Sequence, residues 1–520
     1  MLLAAAAFLV AVTGCAPTPS SNPDTSQSAD AQSNAGQSAD AERADAVAER
    51  ARATYEEDLI TTLGEMLVFQ TVKQDGVANA DNPEFQEMTV YLEKKAAELG
   101  LAFEDHGATV VISLGDAEKR LGLITHGDVQ PADPTKWAAD PFSLDLKSEP
   151  ARLVGRGVED DKGPIATALY AMKTIQDAGL PLSRKIELVV SYTEESDWQP
   201  FFEFLAKNPP ADLNVALDAE YPVVTAEKGW CSVFLNLPAD STEPSGPWLA
   251  SIQGGSFLSQ IPEDARAVVS EANDEVEETL RAAANNIEGV TFNLNNSNGD
   301  LIVEASGVSS HSSKPWNGKN AITHLAQLLG AVEWPESQAA RMVRLINDLV
   351  GTGDYAEKFG DVAYEHPFMG RLTLSLTTLG PNDDGALVAG INLRRPAGRT
   401  NEDVDSRIRN AVDAWKKATS INDLGIETSI NDPYMVEGAE HVDVLLDVFR
   451  RHTGQENAEA ISIGGGTHAR VVPNGVNFGP SMPGEPYTGH SEHEYMSREQ
   501  ILLNLEMYTA MLVELATTPE

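Results

Sequence analysis

The sequence predicts an α/β protein in which a mostly parallel sheet is covered by helices and an α+β domain is inserted into the chain. Two observations predict this class. Short apolar runs alternate with segments of helical spacing over residues 59–227, a pattern typical of strands joined by covering helices. Residues 290–393 instead contain pairs of apolar runs joined by turns, which indicates hairpins and a second domain.

The composition restricts the classes of partner. The 520 residues include 37 basic and 79 acidic side chains, for a formal net charge of −42, and 42% of the positions are apolar. This apolar fraction supplies two or three cores and excludes a disordered chain. Because so large a negative excess repels phosphate groups, we expect neither nucleic acid nor anionic lipid as a partner.

The N-terminal segment predicts a processing signal. Residues 2–12 are an apolar run too short to span a bilayer, and the segment from Val12 to Cys15 resembles a bacterial lipobox. The resemblance implies a lipoprotein signal peptide over 1–14 and lipidation of Cys15. The alternative is an ordinary signal peptide with an incidental cysteine. We expect an exported protein, lipid-anchored to the bacterial cell envelope on the periplasmic face, in the outer membrane if the cell is Gram-negative, with no other membrane contact.

The main domain follows a linker. Residues 15–45 are rich in Ser, Ala, Asp, Gln and Asn, so we expect this segment to be disordered. From residue 46 the pattern becomes periodic, and we assign 46–227 to the first part of the main domain. Apolar residues at helical spacing predict helices over 59–67, 85–99 and 165–175. Short apolar runs predict strands at 121–125, 186–192 and 215–217.

The inserted domain is predicted over 228–398. One hairpin pairs residues 290–294 with 301–305, and another pairs 372–379 with 387–393 across a turn that contains Gly385. The two halves, each with hairpins and helices, predict a duplicated unit of four strands and two helices. Residues 399–520 return to helix and strand alternation and complete the main domain.

Each strand of the main domain ends in residues that can bind a ligand. The first predicted strand runs into His126 and Asp128, the second into Glu194 and Glu195, and the third into Asp218. Ligands of open α/β sheets collect at the carboxyl ends of the strands, so these endings predict one shared crevice. The segment 155–164, GRGVEDDKGP, places Asp160 34 residues after His126 and 34 before Glu194, about one β-α-β step each time. Alone, each motif also fits a surface turn or a helix cap.

Together the motifs resemble a known family. They resemble the dinuclear zinc peptidases and amidohydrolases that include glutamate carboxypeptidase, aminoacylase and succinyl-diaminopimelate desuccinylase, and most closely the PepV-type bacterial dipeptidase branch. The resemblance covers about residues 55–515 and rests on ordered motifs: HGD at 126, GRGVEDDKGP at 155, Glu194-Glu195, LDAEYPVVTAEKG at 217, GVSSHSSKP at 307, NLRRP at 392, GGGTHAR at 464 and TGHSEHEY at 488.

The resemblance implies a site with two metal ions. Asp160 would bridge two Zn²⁺, for which Mn²⁺ or Co²⁺ could substitute. His126 and Asp218 would complete the coordination of one ion, and Glu195 and His490 would complete that of the other. A cis peptide bond is implied after Asp160.

The resemblance also implies the catalytic roles. Glu194 would act as general base on the water between the metals, and Asp128 would accept the other ring N–H of His126. His311 would stabilise the oxyanion and Arg394 would bind the substrate carboxylate. Without the family, a surface histidine and a surface arginine are the alternative interpretations of the last two.

The sequence departs from the branch near His490. His468 stands where a tyrosine is expected, and Tyr487 and His493 also depart from the usual pattern. His493 and His468 are therefore alternative ligands in place of His490, and the substrate pocket is expected to be altered.

These residues predict a zinc-dependent dipeptidase for short peptides with a free C-terminal carboxylate. A metallo-carboxypeptidase or an N-acyl-amino-acid deacylase is the alternative within the same class of enzymes. The alternative from a different class is a lipid-anchored peptide-binding protein without catalysis. The inserted domain is larger than the four-stranded lid of dimeric members. We therefore expect a monomer whose lid supplies His311 to its own site and closes over the substrate.

Overall fold

The computed structural model describes residues 26–518, with side chains from residue 39 onward. The predicted signal peptide over 1–14 and the predicted lipidation site Cys15 lie outside the described residues. The described chain forms two units, each with its own sheet and apolar core.

The first unit begins with four helices and eight strands. The helices are α1 (Ser26–Leu67), α2 (Pro83–Leu99), α3 (Lys162–Ala178) and α4 (Gln199–Lys207). The strands are β1 (Ala102–Asp105), β2 (Thr109–Leu114), β3 (Arg120–His126), β4 (Arg152–Val154), β5 (Lys185–Ser191), β6 (Leu213–Ala216), β7 (Ala219–Glu220) and β8 (Val224–Glu227).

The second unit follows directly. Its strands are β9 (Gly229–Leu237), β10 (Trp248–Gly254), β11 (Gln260–Ile261), β12 (Asp264–Ser270), β13 (Thr291–Ser297), β14 (Asp300–Ser306), β15 (Ser310–His311), β16 (Glu365–His366), β17 (Gly370–Arg371), β18 (Thr373–Pro381), β19 (Leu387–Arg395) and β20 (Gly425–Ile430). Its helices are α5 (Asp274–Ala284), α6 (Ala321–Leu329), α7 (Gln338–Leu345) and α8 (Asn401–Thr419).

The chain then returns to the first unit. The remaining strands are β21 (Tyr434–Met435), β22 (Ile461–Ile463), β23 (Val476–Asn477), β24 (Pro480–Ser481) and β25 (Tyr495–Ser497), and the remaining helices are α9 (His441–Thr453) and α10 (Arg498–Ala516).

The sheet of the first unit has parallel strands at its centre. Its order is β1-β2-β5-β3-β6-β23-β8-β21, with β22 also paired to β8. Strand β3 runs parallel to both β5 and β6, and β23 runs parallel to β6. Strands β1, β2 and β21 at the two edges are antiparallel. The predicted α/β class is confirmed, and the carboxyl ends of β3, β5 and β6 meet at one edge of the sheet.

The sheet of the second unit consists of two four-stranded halves. One half has the order β13-β14-β12-β10 and the other β18-β19-β9-β20. A single residue pair, Gly254 with Leu379, joins them between β10 and β18. Helices α5 and α6 lie on the first half and α8 lies on β20. The two four-stranded halves agree with the duplicated unit that the two predicted hairpins indicated.

The second unit does not end where the sequence predicts. Helix α8 and strand β20 belong to the second unit, because Val404, Ile408 and Val412 lie in its core and β20 pairs with β9. The second unit therefore extends past the predicted limit at residue 398. Periodicity alone cannot assign a helix to one of two neighbouring cores.

The predicted disordered linker over 15–45 also differs from the structure, since α1 begins at Ser26. Alanine has the highest helix propensity of all residues, and Ala44, Ala48 and Ala51 recur at helical spacing and are fully buried. Helix α1 packs on α10 and α3, and Asp45 pairs with Arg451 of α9 at 3.2 Å. The apolar face is made of small residues, which a hydrophobicity pattern does not reveal.

Candidate active site

Three strand ends and one loop bring the predicted site residues together. His126 is the last residue of β3, Glu194 and Glu195 follow β5, and Asp218 follows β6. The loop before α3 adds Asp160, whose peptide bond to Asp161 is cis, as the resemblance implies. Asp160, Glu194, Glu195 and Asp218 border a cavity of about 790 Å³ that is also lined by His311, Arg394 and His490. His126 is buried and lies against Asp160. A cavity of this size accommodates a small molecule.

Six of the side chains form two groups with the composition of metal sites. His126, Glu194 and Asp218 form the first group, and Asp160, Glu195 and His490 form the second; within each group the ligand atoms lie within 4.8 Å of one another. Asp160 belongs to the second group and also contacts His126 of the first.

The carboxylate of Asp160 lies between the two groups. Oδ1 of Asp160 is 2.7 Å from Nε2 of His126, and Oδ2 is 3.0 Å from Nε2 of His490. A carboxylate in this position can bridge two ions.

The donor atoms fit divalent metal ions. Nε2 of His126 and Oε1 of Glu195 are buried and make no hydrogen bond with the described residues, although each lies within 3 Å of a potential partner. Two ligands of one ion show this geometry, because their lone pairs converge on a common point and not on each other. Imidazole and carboxylate donors suit Zn²⁺, Mn²⁺ or Co²⁺. The site therefore can hold two divalent ions.

A buried carboxylate holds the loop that carries Asp160. Glu494 is fully buried and lies 2.7 Å from a guanidinium nitrogen of Arg156, which is 1% exposed. One oxygen of the same carboxylate accepts the backbone N–H groups of Gly157, Glu159 and Asp160 at 2.9–3.1 Å. The conformation of this loop therefore depends on Glu494.

A second buried carboxylate holds the loop that carries His490. Glu159 accepts hydrogen bonds from the backbone and hydroxyl of Thr488 at 2.7 and 2.8 Å, and from the backbone of Gly489 at 3.2 Å. His490 has a φ of 65°, in the left-handed region that a non-glycine residue rarely adopts. Because Glu159 precedes Asp160 directly, it couples the two loops.

Neither Glu159 nor Glu494 was predicted as a site residue from the sequence. In the sequence, Glu159 stands directly before Asp160, and Glu494 stands four positions after His490. Tyr487, noted only as a departure from the family pattern, donates a hydrogen bond from its hydroxyl to Oδ2 of Asp160 at 2.6 Å.

Asp128 contacts both His126 and the strand end that carries Glu194. Its backbone carbonyl lies 2.9 Å from Nδ1 of His126, and its carboxylate lies 3.5 Å from the same atom. The carboxylate accepts the backbone N–H groups of Glu194 and Glu195 at 3.2 and 3.0 Å. Asp128 thus orients the His126 ring mainly through its backbone and fixes the two glutamates through its side chain.

Two buried side chains that line the cavity have pKa values shifted in opposite directions. Burial, and next the charge of Asp218, hold the pKa of Glu194 well above its ordinary value. The imidazole of His311 shifts the other way, because burial, and next the charge of Arg394, hold its pKa well below its ordinary value. A neutral His311 can donate one hydrogen bond into the cavity.

Two of the predicted site residues reach the cavity from the second unit. His311 in β15 contacts the hydroxyl of Ser313 through Nδ1 at 2.6 Å, and its ring centroid lies 5.8 Å from that of His490. Arg394 in β19 is 4% exposed and donates to the hydroxyl of Ser312 at 3.2 Å and to the carbonyl of Gly464 at 3.3 Å. Both residues reach the site from the same chain.

The two alternative histidine ligands lie outside both groups. His468 stacks on Phe201 with 4.1 Å between ring centroids, and neither of its nitrogens has a hydrogen-bond partner among the described residues. His493 lies 2.5 Å from a carboxylate oxygen of Glu149. Of the three candidates, only His490 contacts Asp160 and Glu195.

Comparison with known proteins identifies the family. Residues 122–514 match the family described as Peptidase family M20/M25/M40. The chain belongs to this family. It is 31% identical over 477 residues to "Putative dipeptidase YtjP" of Bacillus subtilis, covering 88% of this chain and 97% of that protein. It is 29% identical over 414 residues to "Beta-Ala-Xaa dipeptidase" of Lactobacillus delbrueckii subsp. lactis, covering 79% of this chain and 84% of that protein.

Solved structures share the fold of this M20 protein. Human carnosine dipeptidase 1 matches with a TM-score of 0.56 and 14% identity, covering 91% of this chain and 98% of the other. The dipeptidase Dug1p of Saccharomyces cerevisiae matches with a TM-score of 0.53 and 12% identity, covering 92% and 99%. The M20 protein is a metallopeptidase, and the expected resemblance is confirmed.

The predicted location is corrected by the same comparison. An exported protein, lipid-anchored to the cell envelope, was expected from the lipobox-like segment. That prediction is wrong, because the relatives that match most of this chain are named as dipeptidases and not as lipoproteins. In the part of the chain that the structure describes, every helix is too short or too polar to cross a membrane. A four-residue pattern ending in cysteine was too short to support the prediction.

Proposed function

We propose that this M20 protein is a zinc-dependent dipeptidase that hydrolyses short peptides with a free C-terminal carboxylate. One observation carries the proposal: two groups of metal-binding side chains face the same cavity as Arg394, whose guanidinium contacts no carboxylate among the described residues. The cavity thus offers a place for a peptide carbonyl at one end and for a carboxylate at the other. The relatives named as dipeptidases support this substrate class.

The metal ions would be held by His126 and Asp218 on one side, by Glu195 and His490 on the other, and by Asp160 between them. When bound, two such ions polarise a carbonyl and lower the pKa of water. Glu194 contacts the first group in the structure, so it can take a proton from the attacking water and deliver it to the leaving amine. The carboxylate of Asp128 keeps Glu194 in place by accepting the backbone N–H of Glu194.

The lid residues would bind the reacting peptide. A neutral His311 can donate a hydrogen bond to the oxygen that gains negative charge in the transition state. The guanidinium of Arg394 can bind the terminal carboxylate with two parallel hydrogen bonds. Both residues belong to the same chain as the metal groups, which supports a monomer with a complete site.

A matched set of substrates tests the proposal. The full-length protein is treated with a chelator, reloaded with Zn²⁺ or Mn²⁺, and assayed on Ala-Ala, Ala-Ala-Ala, N-acetyl-Ala-Ala and Ala-Ala-amide. We expect metal-dependent cleavage of Ala-Ala alone. Release of acetate from N-acetyl-Ala-Ala would indicate a deacylase. Release of the C-terminal alanine from N-acetyl-Ala-Ala or from the tripeptide would indicate a carboxypeptidase. Metal binding without any cleavage would indicate a peptide-binding protein.

An arginine variant tests the carboxylate end of the cavity. Arg394→Gln should lower kcat/KM for Ala-Ala by about tenfold or more, since hydrogen bonds between charged groups contribute about 1.5–3 kcal/mol. Arg409→Gln is the matched control, because Arg409 is exposed on α8 and pairs with Asp405. Equal rates for the two variants would contradict the role of Arg394.

A further inference from the structure

A second arginine lines the cavity near Arg394. Arg470, in the loop after β22, lines the cavity together with the glycines 464–466. One of its guanidinium nitrogens donates to the backbone carbonyl of Asp432. Neither arginine takes part in an ion pair with a described carboxylate, because the bonds of Arg394 go to a hydroxyl, an amide oxygen and a backbone carbonyl.

Asp432 and Glu227 make their side-chain contacts with residues other than Arg394 and Arg470, although the charge of Arg470 acts to lower the pKa of Glu227. The carboxylate of Asp432 lies 2.8 Å from a guanidinium nitrogen of Arg395. The carboxylate of Glu227 is buried and accepts hydrogen bonds from Thr467 at 2.7 Å and Asn477 at 3.0 Å. The cavity therefore contains two guanidinium groups whose charges no described carboxylate neutralises by contact.

The two guanidinium groups lie at the two ends of one short glycine segment. Arg394 contacts the carbonyl of Gly464 at 3.3 Å. A terminal nitrogen of Arg470 lies 2.9 Å from the position that a Cβ atom on Gly466 would occupy, so the absence of a side chain there lets the guanidinium approach the backbone. Gly464 and Gly466 are at most about 7 Å apart along the chain. The two carboxylates of one aspartate or glutamate can reach two anchor points at this separation.

The mutual repulsion of the two cations supports this arrangement. Burial lowers the pKa of Arg394 to about 10, and the charge of Arg470 acts in the same direction. Two positive charges held close together in a partly buried cavity favour a ligand with two negative charges, because each carboxylate neutralises one of them.

We propose that Arg470 forms a second anion subsite beside Arg394, which recognises an acidic side chain on the C-terminal residue of the substrate. Arg394 binds the terminal carboxylate and Arg470 binds the side-chain carboxylate. The preferred substrates are therefore dipeptides that end in aspartate or glutamate. This inference rests on the proposed dipeptidase function and specifies its substrate.

Isosteric substrate pairs test the subsite without any mutation. The wild-type protein is assayed on Ala-Glu against Ala-Gln and on Ala-Asp against Ala-Asn, which differ only in the charge of the side chain. We expect kcat/KM to be about tenfold or more higher for the acidic member of each pair. Free glutamate should also inhibit more strongly than free glutamine. Hydrolysis of all four dipeptides at equal kcat/KM would overturn the subsite but leave the dipeptidase function intact.

Variants of Arg470 test which residue is responsible. In Arg470→Gln the ratio of kcat/KM for Ala-Glu over Ala-Gln should fall to about one, and in Arg470→Lys it should remain above one because the charge is retained. Arg409→Gln, which also removes one positive charge, should leave the ratio at the wild-type value. A ratio unchanged in Arg470→Gln, or an equal loss on both substrates, would overturn the proposal. If no dipeptide is hydrolysed by the wild type, the proposed function itself fails.

Discussion

Replacing Glu494 by glutamine removes one charge from the interior of the first unit while the size of the side chain stays the same. Glu494 is 0% exposed, and its partner Arg156 is 1% exposed. The variant therefore leaves a buried guanidinium without a counter-charge. Three backbone N–H groups of the Asp160 loop also lose a charged acceptor at 2.9–3.1 Å.

The expected loss of stability follows from these contacts. Breaking a buried ion pair by neutralising one partner costs about 3–5 kcal/mol. The three backbone hydrogen bonds remain possible to the amide oxygen of glutamine but become weaker, since bonds to charged groups are the stronger ones. We therefore expect Glu494→Gln to lower the free energy of unfolding by about 3–5 kcal/mol. Metal affinity should fall as well, because weaker hydrogen bonds hold the loop that carries Asp160 less firmly.

Differential scanning calorimetry of the chelated protein at pH 8 measures the first effect, and titration with Zn²⁺ measures the second. Glu499→Gln is the matched control: Glu499 pairs with Arg52 at 2.6 Å on the surface, where its side chain is 73% exposed. An exposed pair of this kind contributes at most about 1 kcal/mol. If Glu494→Gln were no more destabilised than Glu499→Gln, the reasoning about the Asp160 loop would be refuted.

Three further variants test the site and its surroundings. Glu194→Gln should lower kcat for Ala-Ala by about 10²–10⁴-fold and leave the amount of bound metal unchanged. Glu187→Gln on β5 is the control. A wild-type kcat in Glu194→Gln would exclude Glu194 as the base. His311→Ala should lower kcat by about 10²–10³-fold, and an effect on metal content alone would contradict its role at the oxyanion. Burial raises the pKa of Glu227 from 4.5 to about 7, so the folded protein keeps a proton that the unfolded chain loses. The free energy of unfolding should therefore fall by about 3 kcal/mol between the two pKa values and stay level above them. Urea denaturation of Glu227→Gln at several pH values should lack this decrease in the free energy of unfolding. The same decrease with pH in the wild type and the variant would contradict the role of Glu227.

The sequence was informative where one local rule decides the structure. The apolar runs before His126, Glu194 and Asp218 became parallel strands whose ends meet at one edge of the sheet, because strand direction follows from helix and strand alternation. The hairpin over 372–393 also formed with the predicted partners.

Other features depended on contacts between distant segments. Glu159 and Glu494 hold backbone amides of loops that fold beside them, and a sequence does not show which amides will lie within reach of a carboxylate. His468 looked like a metal ligand by residue type, but its ring packs on Phe201. A histidine can bind a metal or fill an apolar space, and only its neighbours decide between the two.

The most direct test of the central claim is a back-titration with metal. The chelated full-length protein is supplied with Zn²⁺ in steps, and bound zinc and the rate of Ala-Ala hydrolysis are measured on the same samples. We expect two ions per chain, with activity that requires metal, and in His490→Ala the loss of one ion together with the activity. Full hydrolysis by the metal-free protein, or an undiminished zinc content in His490→Ala, would contradict a site built from these two groups of side chains.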